Sequence, residues 1–151
     1  MQVIRGFAAL VAVALAAGCA TGSAATEADE ARALAEPVAQ AASAVGTAQL
    51  SVRLLGDERT SAPVTDTALI DSIRVLAEAS DAVATFIPSD RAGSGWQIDT
   101  LDAVQSAQMA VAQARAWANG TGTLSDATAA LEASADRLDE IGATLETAGG
   151  S

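Results

Sequence analysis

The sequence predicts an all-α protein, an antiparallel up-down-up-down four-helix bundle over residues 26–148. Three observations predict it. Alanine, the best helix former, dominates the chain. Four stretches carry apolar residues at alternating spacings of three and four, the seam of helices packed near-parallel. Between them stand short segments rich in Gly, Pro, Asp, Ser and Thr, and four helices with short connections pack as antiparallel neighbours.

The first stretch is Leu34, Val38, Ala41, Val45, Ala48, Val52 and Leu55. Thr26, with Asp29 or Glu30, supplies an N-terminal cap, and Gly56-Asp57 ends the helix. Pro37 interrupts it. Because Leu34 keeps the heptad phase, a kink within one long helix is preferred to a helix that starts at Pro37. Thr60 to Thr65, with Pro63, is expected to be a loop. Asp66 or Thr67 would then cap the second stretch, Leu69, Ile73, Leu76, Ser80, Val83 and Ile87, which Pro88 stops.

Ser89 to Gln97 is polar and Gly-rich, and is expected to be the second loop. The third stretch is weaker: Leu101, Val104, Ala107 or Gln108, Val111, Ala114 and Ala118, ending at Asn119-Gly120. Thr123 with Asp126 opens the fourth, Leu124, Ala127, Leu131, Ser134, Leu138, Ile141, Leu145 and Ala148. Residues 149–151 are expected to be disordered. With so much alanine in the seams, stability should rest on the larger side chains of helices two and four. Gly46 and Gly142 lie beside seam positions, either as close contacts or as weak spots.

The N-terminus reads differently. Arg5 is the only charge before Phe7 to Ala17, an uncharged run too short to span a bilayer and of signal-peptide length. It closes on Leu15-Ala16-Ala17-Gly18-Cys19, which holds the only cysteine. This segment resembles the lipobox of bacterial lipoprotein precursors, with Gly18 as the small residue before the cysteine and Leu15 one position further out than usual. The resemblance covers about the first 20 residues and implies cleavage before Cys19, then diacylglycerol and fatty acid on that cysteine as the sole attached groups. It also gives a lone thiol in an exported chain a use. Residues 1–18 are then a leader, and residues 19–25 a tether that reaches at most ~25 Å. Two acyl chains suffice for stable anchoring. The expected location is the extracytoplasmic face of the cell membrane or the outer membrane.

The chain has 19 carboxylates against 8 basic residues, a net charge of −11, which becomes −12 when Arg5 leaves with the leader. Such a field repels phosphate backbones, so nucleic acid is excluded as a partner class. Histidine, lysine and tyrosine are absent. No imidazole base or ligand and no Schiff-base amine is available, and the bundle di-iron pattern, which needs His, cannot form. Gly93-Ser94-Gly95 has no strand before it and is not a nucleophile elbow.

Glu132, Asp136, Asp139 and Glu140 fall on one side of helix four. A solvated or partner-facing acidic surface explains them better than a calcium site, because side chains along one rod do not wrap an ion. Asn119-Gly120-Thr121 matches a glycosylation sequon, and a helix cap explains it. Trp117 is assigned to the core. Trp96, near Phe86, either folds back over helix three or meets lipid, since antiparallel order returns the second loop to the tethered end. Residues 57–65 and 119–123 belong to the far tip.

These features point to a non-enzymatic, membrane-anchored binding or structural module of the envelope with a protein partner. Two other expectations follow from less: a prophage-type superinfection-exclusion lipoprotein, from size and export alone, and a carboxylate-only hydrolase, which would need two carboxylates facing across a cleft.

Overall fold

The computed structural model describes residues 26–150, so Cys19, the leader and the tether lie outside the described residues. Four helices account for nearly all of the described chain: α1 (Glu27–Gly56), α2 (Ala62–Thr85), α3 (Arg91–Ala118) and α4 (Leu124–Gly149). Among the described residues none is long and apolar enough to cross a membrane.

Two helix starts are built as their sequences require. Thr26 and Asp29 form a reciprocal capping box at α1, and the Thr123 hydroxyl accepts the Asp126 N–H at α4. α3 ends at Ala118 with Asn119 as its C-cap, followed by Gly120 at φ 89°, a left-handed conformation that glycine adopts without strain. α1 runs unbroken from Glu27 through Pro37, which is buried, so the helix does not begin at the proline.

Three boundaries differ from expectation. α2 begins at Ala62, not at Asp66 or Thr67: Ser61 occupies the cap position and Pro63 sits in the first turn, where a missing N–H costs nothing. The second loop is only Phe86 to Asp90. Ser89 to Gln97 is mostly helical, because the Asp90 side chain accepts the Gly93 N–H at 2.8 Å and starts α3 at Arg91. At the other end α4 continues to Gly149, with the Gly150 N–H bonded to Glu146 O at 2.9 Å, so the helix reaches into the segment expected to be disordered.

The packing is a rhombus. α1 touches all three other helices, including α3 across the diagonal, whereas α2 and α4 stand apart at opposite corners. Side-chain size explains this. α1 and α3 bury mainly alanine and valine, among them Ala31, Ala41, Ala48, Ala103, Ala107 and Ala114. Small side chains let two axes approach toward the near end of the usual ~8–10 Å range. α2 and α4 fill the space left on either side with Leu69, Leu76, Leu131, Leu138 and Leu145, all at most 1% exposed.

The seam of α4 matches its sequence pattern from Ala127 to Leu145, although Leu124 is exposed. In α3 it is Ala107, not Gln108, that is buried. Gln108 instead donates to the Leu76 carbonyl of α2 at 3.1 Å. α2 is rotated from expectation. Its buried line is Thr65, Leu69, Ser72, Leu76, Ala79 and Val83, which leaves Ile73 half-buried and Ile87 exposed. Gly46 has open space around it, and a Cβ on Gly142 would make only an ordinary 3.7 Å contact with Val38, so neither is a point of close approach.

Leu138 lies at the centre of the α4 line. Leu138→Ala should cost ~2–5 kcal/mol, as a leucine-to-alanine cavity does. Chemical denaturation reads this directly, and a loss below about 0.5 kcal/mol would place the residue outside the core.

Candidate functional site

The antiparallel order gives the bundle two distinct ends. The start of α1, the α2–α3 turn and the close of α4 share one end: Glu30 accepts the Ser89 N–H, and Arg32 Nε donates to Gly149 O at 3.4 Å. The α1–α2 and α3–α4 connections share the other, which we call the tip. There a Cβ on Gly56 would lie 3.1 Å from the Leu124 side chain, and Asp66 accepts from Arg115 at 2.7 Å and from Asn119 at 2.8 Å. The Arg115 hydrogen bond, then that of Asn119, holds the Asp66 carboxyl below the usual aspartate range. Asn119 is thus committed to capping α3 and bracing α2.

A cleft of about 350 Å³ opens at the tip between α1 and α4. Val52 and Leu131 form an apolar floor, and Arg53, Asp57 and Glu132 stand at its polar edge. Glu132 is one of four exposed carboxylates along the outer edge of α4, with Asp136, Asp139 and Glu140. The structure keeps them on one edge but divides their surroundings. Asp139 borders a second groove against α1, lined by Val38, Ala42 and Gly142. Glu140 turns toward α3 and pairs with Arg137 at 2.7 Å. Among the described residues, Glu132, Asp136 and Asp139 have no salt-bridge partner. Four acids on one rod form no cage, and among the described residues no group of three or more His, Cys, Asp or Glu is placed to hold a metal ion.

Trp96 is not a loop residue. It lies in the second turn of α3, half-buried against the core, and walls a small cleft of about 120 Å³ with Thr100, Arg137 and Glu140. Phe86 is the C-cap of α2 and is also packed against the core. Gln97 Nε2 donates to Phe86 O at 2.8 Å and to Val83 O at 2.9 Å, the latter shared with the Phe86 N–H, and so closes the end of α2. Trp117 packs on the core as well. The apolar side chain that does project from the α2–α3 turn is Ile87, 87% exposed.

Glu30 carries a role its sequence position does not reveal. Asp29 completes the cap, while Glu30 turns inward and is 2% exposed. Its Oε1 accepts the Ser89 N–H at 2.6 Å, which pins the α2–α3 turn to α1. Among the described residues its Oε2 has no hydrogen-bond partner, and it fills the space where a Cβ on Gly93 would stand. The glycine in the first turn of α3 is therefore required by a carboxylate 63 positions earlier in the chain.

No family model, curated protein or solved structure matches this chain.

Gly93→Ala should destabilise the fold by ~1–3 kcal/mol, the range for overpacking a buried site. Combined with Glu30→Ala, the loss should be smaller than the sum of the two single losses, because the clash disappears with the carboxylate. Denaturation of the three variants checks this, and strict additivity would show that the two residues do not meet.

Proposed function

We propose that this chain is a lipid-anchored helical binding module of the cell envelope, without catalytic activity, that meets a basic protein partner along the α4 edge. The observation that carries the reading is the line of exposed carboxylates on α4. Among the described residues three of them have no salt-bridge partner, and the line runs into a tip cleft with an apolar floor. The acidic α4 edge beside an apolar floor suits a basic, amphipathic protein segment, with charge steering the encounter and burial of apolar surface holding it.

The anchor half of the reading rests on the Leu15-to-Cys19 segment. Thr26, the first described residue, lies six residues beyond Ala20 at the end of the bundle opposite the tip. A lipid on Cys19 would hold that end near the membrane and present the tip cleft and the α4 edge outward.

The two halves are tested together in cells that make the full chain. Cys19→Ala should move the protein from the membrane fraction to the soluble fraction and abolish fatty-acid labelling. A variant carrying Glu132→Gln, Asp136→Asn and Asp139→Asn should stay on the membrane but lose a salt-sensitive crosslink from α4 to a basic partner. Membrane retention of Cys19→Ala would contradict the anchor. Undiminished crosslinking by the neutralised variant would contradict the binding edge.

A further inference from the structure

α3 and α4 enclose a small cleft toward the end of the bundle opposite the tip. On α3 it is lined by Trp96 with Asp99 and Thr100, which lie three and four positions on and share one helix face. On α4 it is lined by Arg137 with Glu140 and Ile141 at the same spacing. Its volume of about 120 Å³ is the space of roughly four waters. Thr100, at 0% exposure, is one of its lining residues, and among the described residues the Thr100 hydroxyl has no hydrogen-bond partner. Two other buried helical hydroxyls, those of Ser72 and Ser134, donate to the carbonyl four residues back at 3.0 and 2.9 Å. Thr100 makes no such bond, so its hydroxyl is not engaged by its own helix.

We propose that this cleft binds a small primary amine in its ammonium form. Asp99 and Glu140 bring two carboxylates to it and Arg137 one guanidinium, which leaves one negative charge in excess. Glu140 is paired with Arg137 at 2.7 Å, whereas Asp99 has no salt-bridge partner among the described residues. The carboxylate left for a guest is therefore the one on α3, beside Trp96. Trp96 adds an aromatic wall, and ammonium groups are attracted to such rings. A buried hydroxyl without a partner is costly, and an ammonium N–H donating to Thr100 removes that cost. Water could serve the hydroxyl as well, but it would leave Asp99 without a counter-charge. The excess negative charge disfavours a carboxylate or phosphate as guest. The volume limits the guest to about four to six non-hydrogen atoms.

The cleft shares no residue with the tip cleft, and Glu132, Asp136 and Asp139 do not line it. It therefore stands whether or not the α4 edge meets a protein partner and whether or not the chain is anchored. The same ammonium chemistry is offered by a free amine and by the ethanolamine headgroup of a phospholipid, and the two are separated by experiment.

The test titrates the full chain, in mild detergent, with propylammonium chloride against sodium chloride at equal ionic strength. Calorimetry reads binding in the unsubstituted chain, and Trp117→Phe leaves Trp96 as the sole tryptophan for fluorescence. A saturable response in the millimolar range is expected for so small a guest. Propanol, which has the same carbon chain without the charge, should give none. Asp99→Asn and Glu140→Gln should each weaken binding about tenfold, the loss of one charge-assisted contact. Thr100→Val should weaken it severalfold while stability to denaturant holds or rises, because a buried unpaired hydroxyl is removed. A threonine with only a structural role would leave binding unmoved. Free ethanolamine is then compared with dihexanoyl phosphatidylethanolamine. Tighter binding of the free amine places the guest among solutes, and tighter binding of the phospholipid places it in the membrane. No saturable response to propylammonium, an equal response to propanol, or unchanged binding in Asp99→Asn and Thr100→Val would overturn the proposal.

Discussion

The close approach of α1 and α3 across the bundle is the constraint on which the rest depends. A square bundle with leucine on all four seams has a wide centre that large side chains must fill. Here two opposed helices offer alanine and valine, so their axes close up and the centre becomes narrow. α2 and α4 are pushed to the outer corners, and their leucines pack into the two flanking spaces. Each buried alanine contributes little area by itself, so the apolar stabilisation is concentrated in a few leucines on the corner helices. This also fixes which surfaces are free. α4 keeps a broad outer edge for its carboxylates, and α2 keeps Ile70 exposed on its outer side.

The two ends of the bundle are finished by polar contacts of opposite character. At the tip, Asp66 ties α2 to α3 through exposed groups that water can also serve. At the end where the chain begins, Glu30 is sealed beneath the α2–α3 turn and fixes that turn to the first helix. A buried carboxylate with one oxygen unpaired is costly, and it persists because Ser89 and Gly93 are shaped around it. Placing the rigid junction next to the proposed tether, with the open cleft at the opposite end, suits a domain held at one end and read at the other.

Much of this was legible in the sequence, where the determining interactions are local. The caps at Thr26 and Thr123 each depend on one residue three positions on. The α4 seam could be read because its leucines stand out from polar neighbours. The α2 seam could not be fixed, since both adjacent lines mix large apolar residues with alanine and serine: Ser72 and Ala79 are buried, while Ile73 and Ile87 are not. Hydrophobicity alone does not choose between such lines. The choice is made by the diagonal packing of other helices. The start of α3 was hidden for a similar reason. Gly93 and Gly95 look like loop residues until the inward turn of Glu30 is known. Of the candidate site residues, the α4 acids keep their place on one edge. Trp96 and Phe86 take packing roles in a helix and a cap, the fold-back alternative for Trp96, and the apolar side chain that projects from the turn is Ile87.

The most direct measurement of the central constraint is the unfolding free energy of Ala107→Leu, a fully buried position on α3. If the narrow α1–α3 approach sets the fold, three extra carbon atoms there must push the helices apart. Denaturant unfolding should then show a loss of ~1–3 kcal/mol despite the greater apolar volume. An unchanged or increased stability would show that the centre has room to spare, and would contradict the account.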